Sequence, residues 1–287
     1  MKSRCRTGRT IDPTRSVKMK AQNVAYLKPE KNSRRPATEE QSMKVICFAS
    51  KKGGVSKTTS AVITGLILAE NKRVLLIDLD SQNALTSFFF DDITKIQGKT
   101  ILEAIKGEKL FSQVIFEITP NLHVIPSVLQ FEEIDEWGRT GKELILRKEL
   151  KKLEGLYDYV ILDTPPNLRS ETVFGLVAAD VIVIPARLEK MDTRAIDFTI
   201  EKINRQIRED FNPTLQKIYI LPTQYNYQNR TVNDLALETL KSDYKKMLLN
   251  VCIPYTSKVS QFNYLGFQEL NNFKNFAEYR EFVEVIK

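Results

Sequence analysis

From Met43 onward, short uninterrupted apolar runs alternate with stretches whose apolar residues recur at helical spacing. Runs at 45–50, 73–78, 121–126, 159–163, 181–185 and 218–221 predict strands, since each is brief and rich in Val, Ile and Leu. A glycine-bearing turn after the first run leads into a helix predicted over 57–70. A second clear helix is predicted over 142–153, where Leu146, Leu150 and Leu153 share one face ahead of Gly155. Strands that are apolar throughout, rather than alternating with polar residues, are covered on both sides, which is the habit of parallel sheets. The alternation of strand and helix therefore predicts one doubly wound α/β domain over 43–287, with a mostly parallel sheet and helices on both faces. No internal repeat is visible.

Residues 1–42 follow no such period. They mix Arg, Lys, Ser, Thr and Pro, and the expectation is a basic, mostly disordered tail, or sequence upstream of a true start at Met43. Eleven Lys/Arg against four acids in this segment account for the entire formal charge of +7 on the 287 residues. The basic balance thus belongs to the tail, and residues 43–287 sum to zero. The tail can add counterion-releasing contacts to DNA, or lie idle.

Composition narrows the chemistry further. Apolar residues are 42% and charged residues 28%, the profile of a globular protein. No stretch reaches the roughly 20 apolar residues of a membrane span, and the N-terminus has no apolar core of the signal-peptide kind. Cys5, Cys47 and Cys252 are far apart and His123 stands alone, so zinc and iron–sulfur chemistry is not expected.

The informative segment is Lys51-Lys52-Gly53-Gly54-Val55-Ser56-Lys57-Thr58-Thr59, between the first strand and its helix. Glycines let successive N–H groups turn into one concavity, a nest for phosphate oxygens, and the following helix points its positive end there. Lys57 is placed to reach β- and γ-phosphates and Thr58 to ligate Mg²⁺. The strict pattern G-x-x-x-x-G-K-[ST] is not met, because Lys51 and Ser56 occupy its glycine positions. Two further segments end predicted strands: Asp78-Leu79-Asp80-Ser81-Gln82-Asn83 and Asp163-Thr164-Pro165-Pro166-Asn167. Parallel strands put their carboxyl ends on one edge, so Asp78, Asp80 and Asp163 are expected to converge on the phosphate loop.

Taken together, these segments resemble the ParA family of the ParA/MinD superfamily. The loop resembles its deviant Walker A motif K-G-G-x-G-K-[ST], with Ser56 for the last glycine. The second segment resembles D-x-D-P-Q, with Ser81 for proline, and the third resembles the Walker B segment D-T-P-P. The resemblance implies an ATP hydrolase, slow and stimulated by a partner, with ATP and Mg²⁺ as cofactors. It implies nucleotide contacts from residues 52–59, namely Lys52, Gly53, Gly54, Val55, Ser56, Lys57, Thr58 and Thr59. It places Mg²⁺ on Thr58, Asp78 and Asp163, and gives Asp80 the orienting of the attacking water. Lys52 would cross an ATP-dependent homodimer to the partner's ATP, and Lys52 and Lys57 would stabilise the departing γ-phosphate.

Later segments are similar to the same family. Ala178-Ala179-Asp180 precedes a strand ending in Pro185, Thr223–Thr231 resembles T-x-x-D-x-R-T, and Ile253–Ser260 resembles I-P-x-x-x-R-x-S with Lys258 for arginine. By that resemblance Arg230 and Lys258 contact DNA without sequence preference. The expected function is an ATP-switched partition ATPase that binds nonspecific double-stranded DNA and meets a ParB-like centromere-binding protein. Its expected location is cytoplasmic and nucleoid-associated, with no membrane partner. A MinD-like positioning ATPase acting on a membrane or protein cargo is the alternative, and a nucleotide-binding adaptor without turnover is a third reading. The aromatic stretch 273–286 carries at least as many acids as bases, three against two, so a packing helix is expected there rather than a membrane-binding one.

Overall fold

A computed structural model describes residues 42–136, 138, 140–188, 193–257, 267 and 276–287. The strands are β1 Lys44–Phe48, β2 Val74–Asp78, β3 Phe116–Thr119, β4 Leu122–Ile125, β5 Tyr159–Asp163, β6 Val181–Arg187 and β7 Lys217–Thr223. They form one sheet in the order β3-β4-β2-β5-β1-β6-β7. Every pairing is parallel except β3 with β4. The helices are α1 Lys57–Ala69, α2 Ala84–Phe89, α3 Ile101–Lys106, α4 Ile145–Lys151, α5 Ser170–Ala178, α6 Thr193–Lys202, α7 Arg230–Tyr244 and α8 Ala277–Ile286.

Strand period decides which face each residue feeds. In β1, Ile46 and Phe48 join Ala61, Val62 and Ile63 of α1 and Phe282 and Val283 of α8 in one core. Val45 and Cys47 point the other way, into a core shared with α3, α4, α5 and α7. The sheet is therefore covered on both faces, as the apolar strand runs predicted. The stretch ending in Ile286 is a packing helix, with Tyr279, Phe282, Val283 and Ile286 buried against α1 and the sheet. Phe48 and Phe282 meet edge to face at 6.2 Å.

Three differences from the sequence reading have physical causes. The edge strand β3 is absent from it, because Phe116–Thr119 buries only its first residue and shows no apolar run. Strands β6 and β7 run on through Pro185 and Pro222 to Arg187 and Thr223, where the apolar runs stop earlier. Proline is tolerated at 185 because β1 pairs with β6 only as far as Val183, so no donor is needed toward that neighbour. The segment 142–153 divides into a 3-10 turn Lys142–Leu144 and the helix α4, and Leu153 is buried beyond the helix end.

Candidate functional site

Six parallel strands deliver their carboxyl ends to one edge, and the chain leaves β1 and β5 in opposite directions there. From β1 it returns through α1 to β2, and from β5 through α5 to β6 on the far side of β1. Such a switch point leaves a crevice at the strand ends, where ligands bind in this architecture.

Asp78 and Asp163 face each other in register at the ends of β2 and β5, and Phe48 of β1 lies on the other side of Asp163. Both aspartates are fully buried. Asp78 is committed to its own loop: it accepts from the Asp80 N–H at 3.0 Å, from the Thr86 N–H at 2.9 Å and from the Thr86 hydroxyl at 2.7 Å. Burial still pushes its carboxyl up to about 7, against those hydrogen bonds. Asp163 differs: the Thr58 hydroxyl is its neighbour, but neither of its carboxylate oxygens accepts a well-formed hydrogen bond. Burial, and then the neighbouring Asp78, raise its carboxyl well above the carboxylate range, while Thr58 and Lys57 pull the other way. A buried carboxylate left in this state is costly unless a cation or its bound water completes it. The donor set, one such carboxylate beside a threonine hydroxyl, fits Mg²⁺ shared with phosphate. Among the described residues no group of three or more His, Cys, Asp or Glu forms a self-sufficient metal cage.

Above these carboxylates lies the loop. Lys52 is half-buried, with its N–H on the Ser50 hydroxyl at 3.2 Å and its carbonyl accepting from Lys57 Nζ at 3.3 Å. Gly53 and Gly54 are exposed, and Gly54 takes a φ of +69° that favours glycine. Ser56 is the residue before α1 and also adopts the left-handed region, with φ 68° and ψ 30°. Lys57 and Thr59 are buried and Thr58 is half-buried at the first turn. Burial lowers the Lys57 ammonium, and Asp163 and then Asp80 oppose that shift. Asp80 is buried on the turn after β2 and accepts from the Gln82 N–H at 2.9 Å. The structure thus brings the loop, Lys57, Thr58, Asp78, Asp80 and Asp163 to one place.

Of the two predicted DNA contacts, one lies among the described residues. Arg230 opens α7 with its side chain 78% exposed and pairs with Asp234 at 3.4 Å. Lys258 lies outside the described residues. His123 is packed, with Nδ1 at 2.7 Å from the Tyr157 hydroxyl.

Sequence reasoning passed over several groups that shape the site. Thr223 donates to the Val55 carbonyl at 3.1 Å, and the Gln224 amide donates to the Gly54 carbonyl at 2.7 Å and to the Ser56 hydroxyl at 3.0 Å. Thr86 fixes Asp78, and Tyr279 of α8 meets the Ser60 hydroxyl of α1 at 3.1 Å. The signal available was Ser56 itself, a side chain at a glycine position that needs something to hold it.

This geometry fits a phosphate loop with room for a cation below it, the arrangement of the P-loop class of nucleotide-binding protein. Comparison with known proteins agrees. A family model described as an AAA domain matches residues 43–217. The chromosome partitioning protein ParA of Myxococcus xanthus is 29% identical over 222 residues, 76% of this chain and 77% of that protein. A plasmid partition protein from Borrelia burgdorferi superposes with a TM-score of 0.69 at 27% identity, covering 85% of this chain and 97% of that one. Cobyrinic acid a,c-diamide synthase from Mycobacterium smegmatis, solved with an ATP analogue and magnesium, superposes at 0.73 with 28% identity, covering 84% of this chain and 93% of that one. The chain belongs to the ParA family of the ParA/MinD superfamily, and is an ATPase of the P-loop type.

Proposed function

We propose that the chain is an ATP-dependent DNA partition ATPase, cytoplasmic and nucleoid-associated, whose ATP-bound homodimer holds nonspecific duplex DNA. Its hydrolysis is slow until a ParB-like partner stimulates it, and hydrolysis releases the DNA. The observation that carries the nucleotide half of this reading is the buried Asp163 carboxylate, without a well-formed hydrogen bond, beneath Lys57 and the first turn of α1. Similarity to partition proteins carries the other half.

Phosphoryl transfer asks a protein for charge neutralisation and positioning more than for covalent help. Asp163 and Thr58 would hold Mg²⁺, which when bound neutralises charge on the phosphate oxygens. Lys57, already desolvated, meets the β- and γ-phosphates with a charge that water screens little. Asp80 orients the attacking water, and Asp78 acts through its three hydrogen bonds by fixing the turn that carries Asp80. Lys52 serves the nucleotide of a second copy. Arg230 and Lys258 contribute phosphate contacts that dimerisation doubles, and affinity for DNA climbs steeply with the number of such contacts.

Binding to a random-sequence duplex with Mg-ATP, Mg-ADP or no nucleotide tests this, using the full chain and a version starting at Met43. ATP-dependent binding by both versions, lost in Lys52→Ala and in Arg230→Ala, is the expected result. Binding that ignores nucleotide and vanishes with residues 1–42 would reduce the DNA affinity to polybasic attraction. ATP-dependent binding to liposomes with none to DNA would favour the MinD-like alternative. No helix among the described residues is long and apolar enough to cross a membrane.

A further inference from the structure

The end of β7 grips the phosphate loop at three successive residues. Thr223 takes the Val55 carbonyl, and Gln224 takes both the Gly54 carbonyl and the Ser56 hydroxyl. In a trans peptide the C=O and N–H point in opposite directions. Pinning the carbonyls of Gly54 and Val55 toward β7 therefore turns the N–H groups of Val55 and Ser56 the other way, as a phosphate nest requires.

Ser56 makes the grip necessary. Serine before a helix ordinarily sits in the extended region and caps the first turn with its hydroxyl. Here it has φ 68° and makes no cap hydrogen bond, and its hydroxyl faces the Gln224 amide instead. A residue with a Cβ disfavours this region, so something must hold it there. Gln224 is itself held at φ 57°. Two left-handed residues without glycine's freedom, 168 positions apart in the chain, meet side chain to side chain.

We propose that Gln224 is a positioning residue of the nucleotide site: its amide holds Ser56, and with it the phosphate loop, in the bent form that binds ATP. This rests on the nucleotide reading above, and extends it to the residue that follows β7, on the same sheet edge as Asp163 and separated from β5 by β1 and β6. The pairing explains how the loop works with serine where glycine would be free to bend.

The test is titration of the full chain with a fluorescent ATP analogue and Mg²⁺, alongside thermal melting. Gln224→Ala removes both amide hydrogen bonds and is expected to weaken binding about tenfold, roughly the worth of one net hydrogen bond. Ser56→Gly alone is expected to bind within about twofold of the unaltered chain, since glycine reaches that φ unaided. Ser56→Gly added to Gln224→Ala is expected to restore most of the loss, a rescue that a merely structural role for Gln224 does not give. Gln224→Gly guards against misfolding, because it relieves the residue's own left-handed strain while still removing the amide; the same loss of affinity is expected with no fall in melting temperature. Lys57→Ala serves as the non-binding control. Unchanged affinity in both Gln224 variants, or a loss that Ser56→Gly does not repair, overturns the proposal and leaves the nucleotide reading standing. No binding by the unaltered chain overturns the nucleotide reading and this proposal with it.

Discussion

A single methyl group at Gly175 probes how tightly the carboxyl edge is assembled. Gly175 lies in α5, and a Cβ there would meet Cys47 Sγ at 2.9 Å, Thr164 Cγ2 at 3.0 Å and Leu79 Cδ1 at 3.3 Å. All three neighbours are fully buried, so none can swing into solvent. Each also belongs to a segment that feeds the site: Cys47 to the strand before the phosphate loop, Leu79 between Asp78 and Asp80, Thr164 directly after Asp163. Overpacking of this kind costs about 1–3 kcal/mol, while replacing a mid-helix glycine with alanine returns about 0.5–1 kcal/mol. Gly175→Ala is therefore expected to destabilise the fold by about 1–2 kcal/mol, and to lower Tm by about 3–6 °C at this chain length. Removing the sulfur should relieve the shortest contact, so Gly175→Ala with Cys47→Ala should be more stable than the two separate effects predict, by about 0.5–1 kcal/mol. Melts of the four chains, with and without Mg-ATP, measure both the cost and the coupling. A Tm for Gly175→Ala at or above that of the unaltered chain would refute the packing argument, and strict additivity would refute the route through Cys47.

Three other outcomes are expected. Lys57→Met keeps the buried stem and removes the charge, so melting temperature should hold or rise while Mg-ATP affinity falls about 10- to 150-fold, the worth of a charge-assisted hydrogen bond; equal affinity would remove Lys57 from the site. The raised carboxyls of Asp78 and Asp163 keep protons in the folded state that the unfolded chain has lost. For Asp78 that contribution is full below about pH 4 and lost as pH rises through about 7, at most about 4 kcal/mol, and Asp163 adds a term of the same sign, so Tm without ligand should fall from pH 6 to 8.5 and Mg-ATP should flatten the fall; a Tm that rises over that range contradicts it. Tyr279→Phe strands the Ser60 hydroxyl between α1 and α8 and should cost about 0.5–1.5 kcal/mol, visible as a Tm lower by a few degrees, whereas an unchanged Tm would mean that the contact is idle.

How much of this was legible depended on how far each signal travels along the chain. Buried strands announce themselves within five or six residues, because a strand covered on both faces has nowhere to put a polar side chain, and β1, β2 and β5 were read to within two residues at each end. The exposed edge strand β3 carries no such pattern. The phosphate loop and the aspartates at 78, 80 and 163 were legible as local motifs, and topology alone then required them to meet. What could not be read were contacts that join distant segments: Gln224 to Ser56, Tyr279 to Ser60, Gly175 to Cys47. The segment Thr223–Thr231 stood out only by its resemblance to a family motif, and nothing in it marks Gln224 as a contact of the phosphate loop until β7 is laid beside β6 and its end is seen to reach the loop.

The site is built from things a folded chain ordinarily avoids. Three non-glycine residues, Ser56, Asn83 and Gln224, stand in the left-handed region, two carboxylates lie side by side out of water, one of them without a well-formed hydrogen bond, and a lysine is buried with them. Each of these is unfavourable alone, and the buried charges among them are the groups that a phosphate chain with its cation would compensate. A ligand moves a conformational equilibrium only by what it contributes to one state over another, so a strained and unsatisfied edge is where nucleotide can have the largest effect. The contacts of Thr223 and Gln224 give that effect a direction. The loop is hydrogen-bonded to the end of β7, and the next residues lead within six positions to Arg230, which shares Asp234 with the Tyr225 hydroxyl. A chain of hydrogen bonds and six residues of backbone thus connects the phosphate loop to Arg230, the residue proposed to meet DNA.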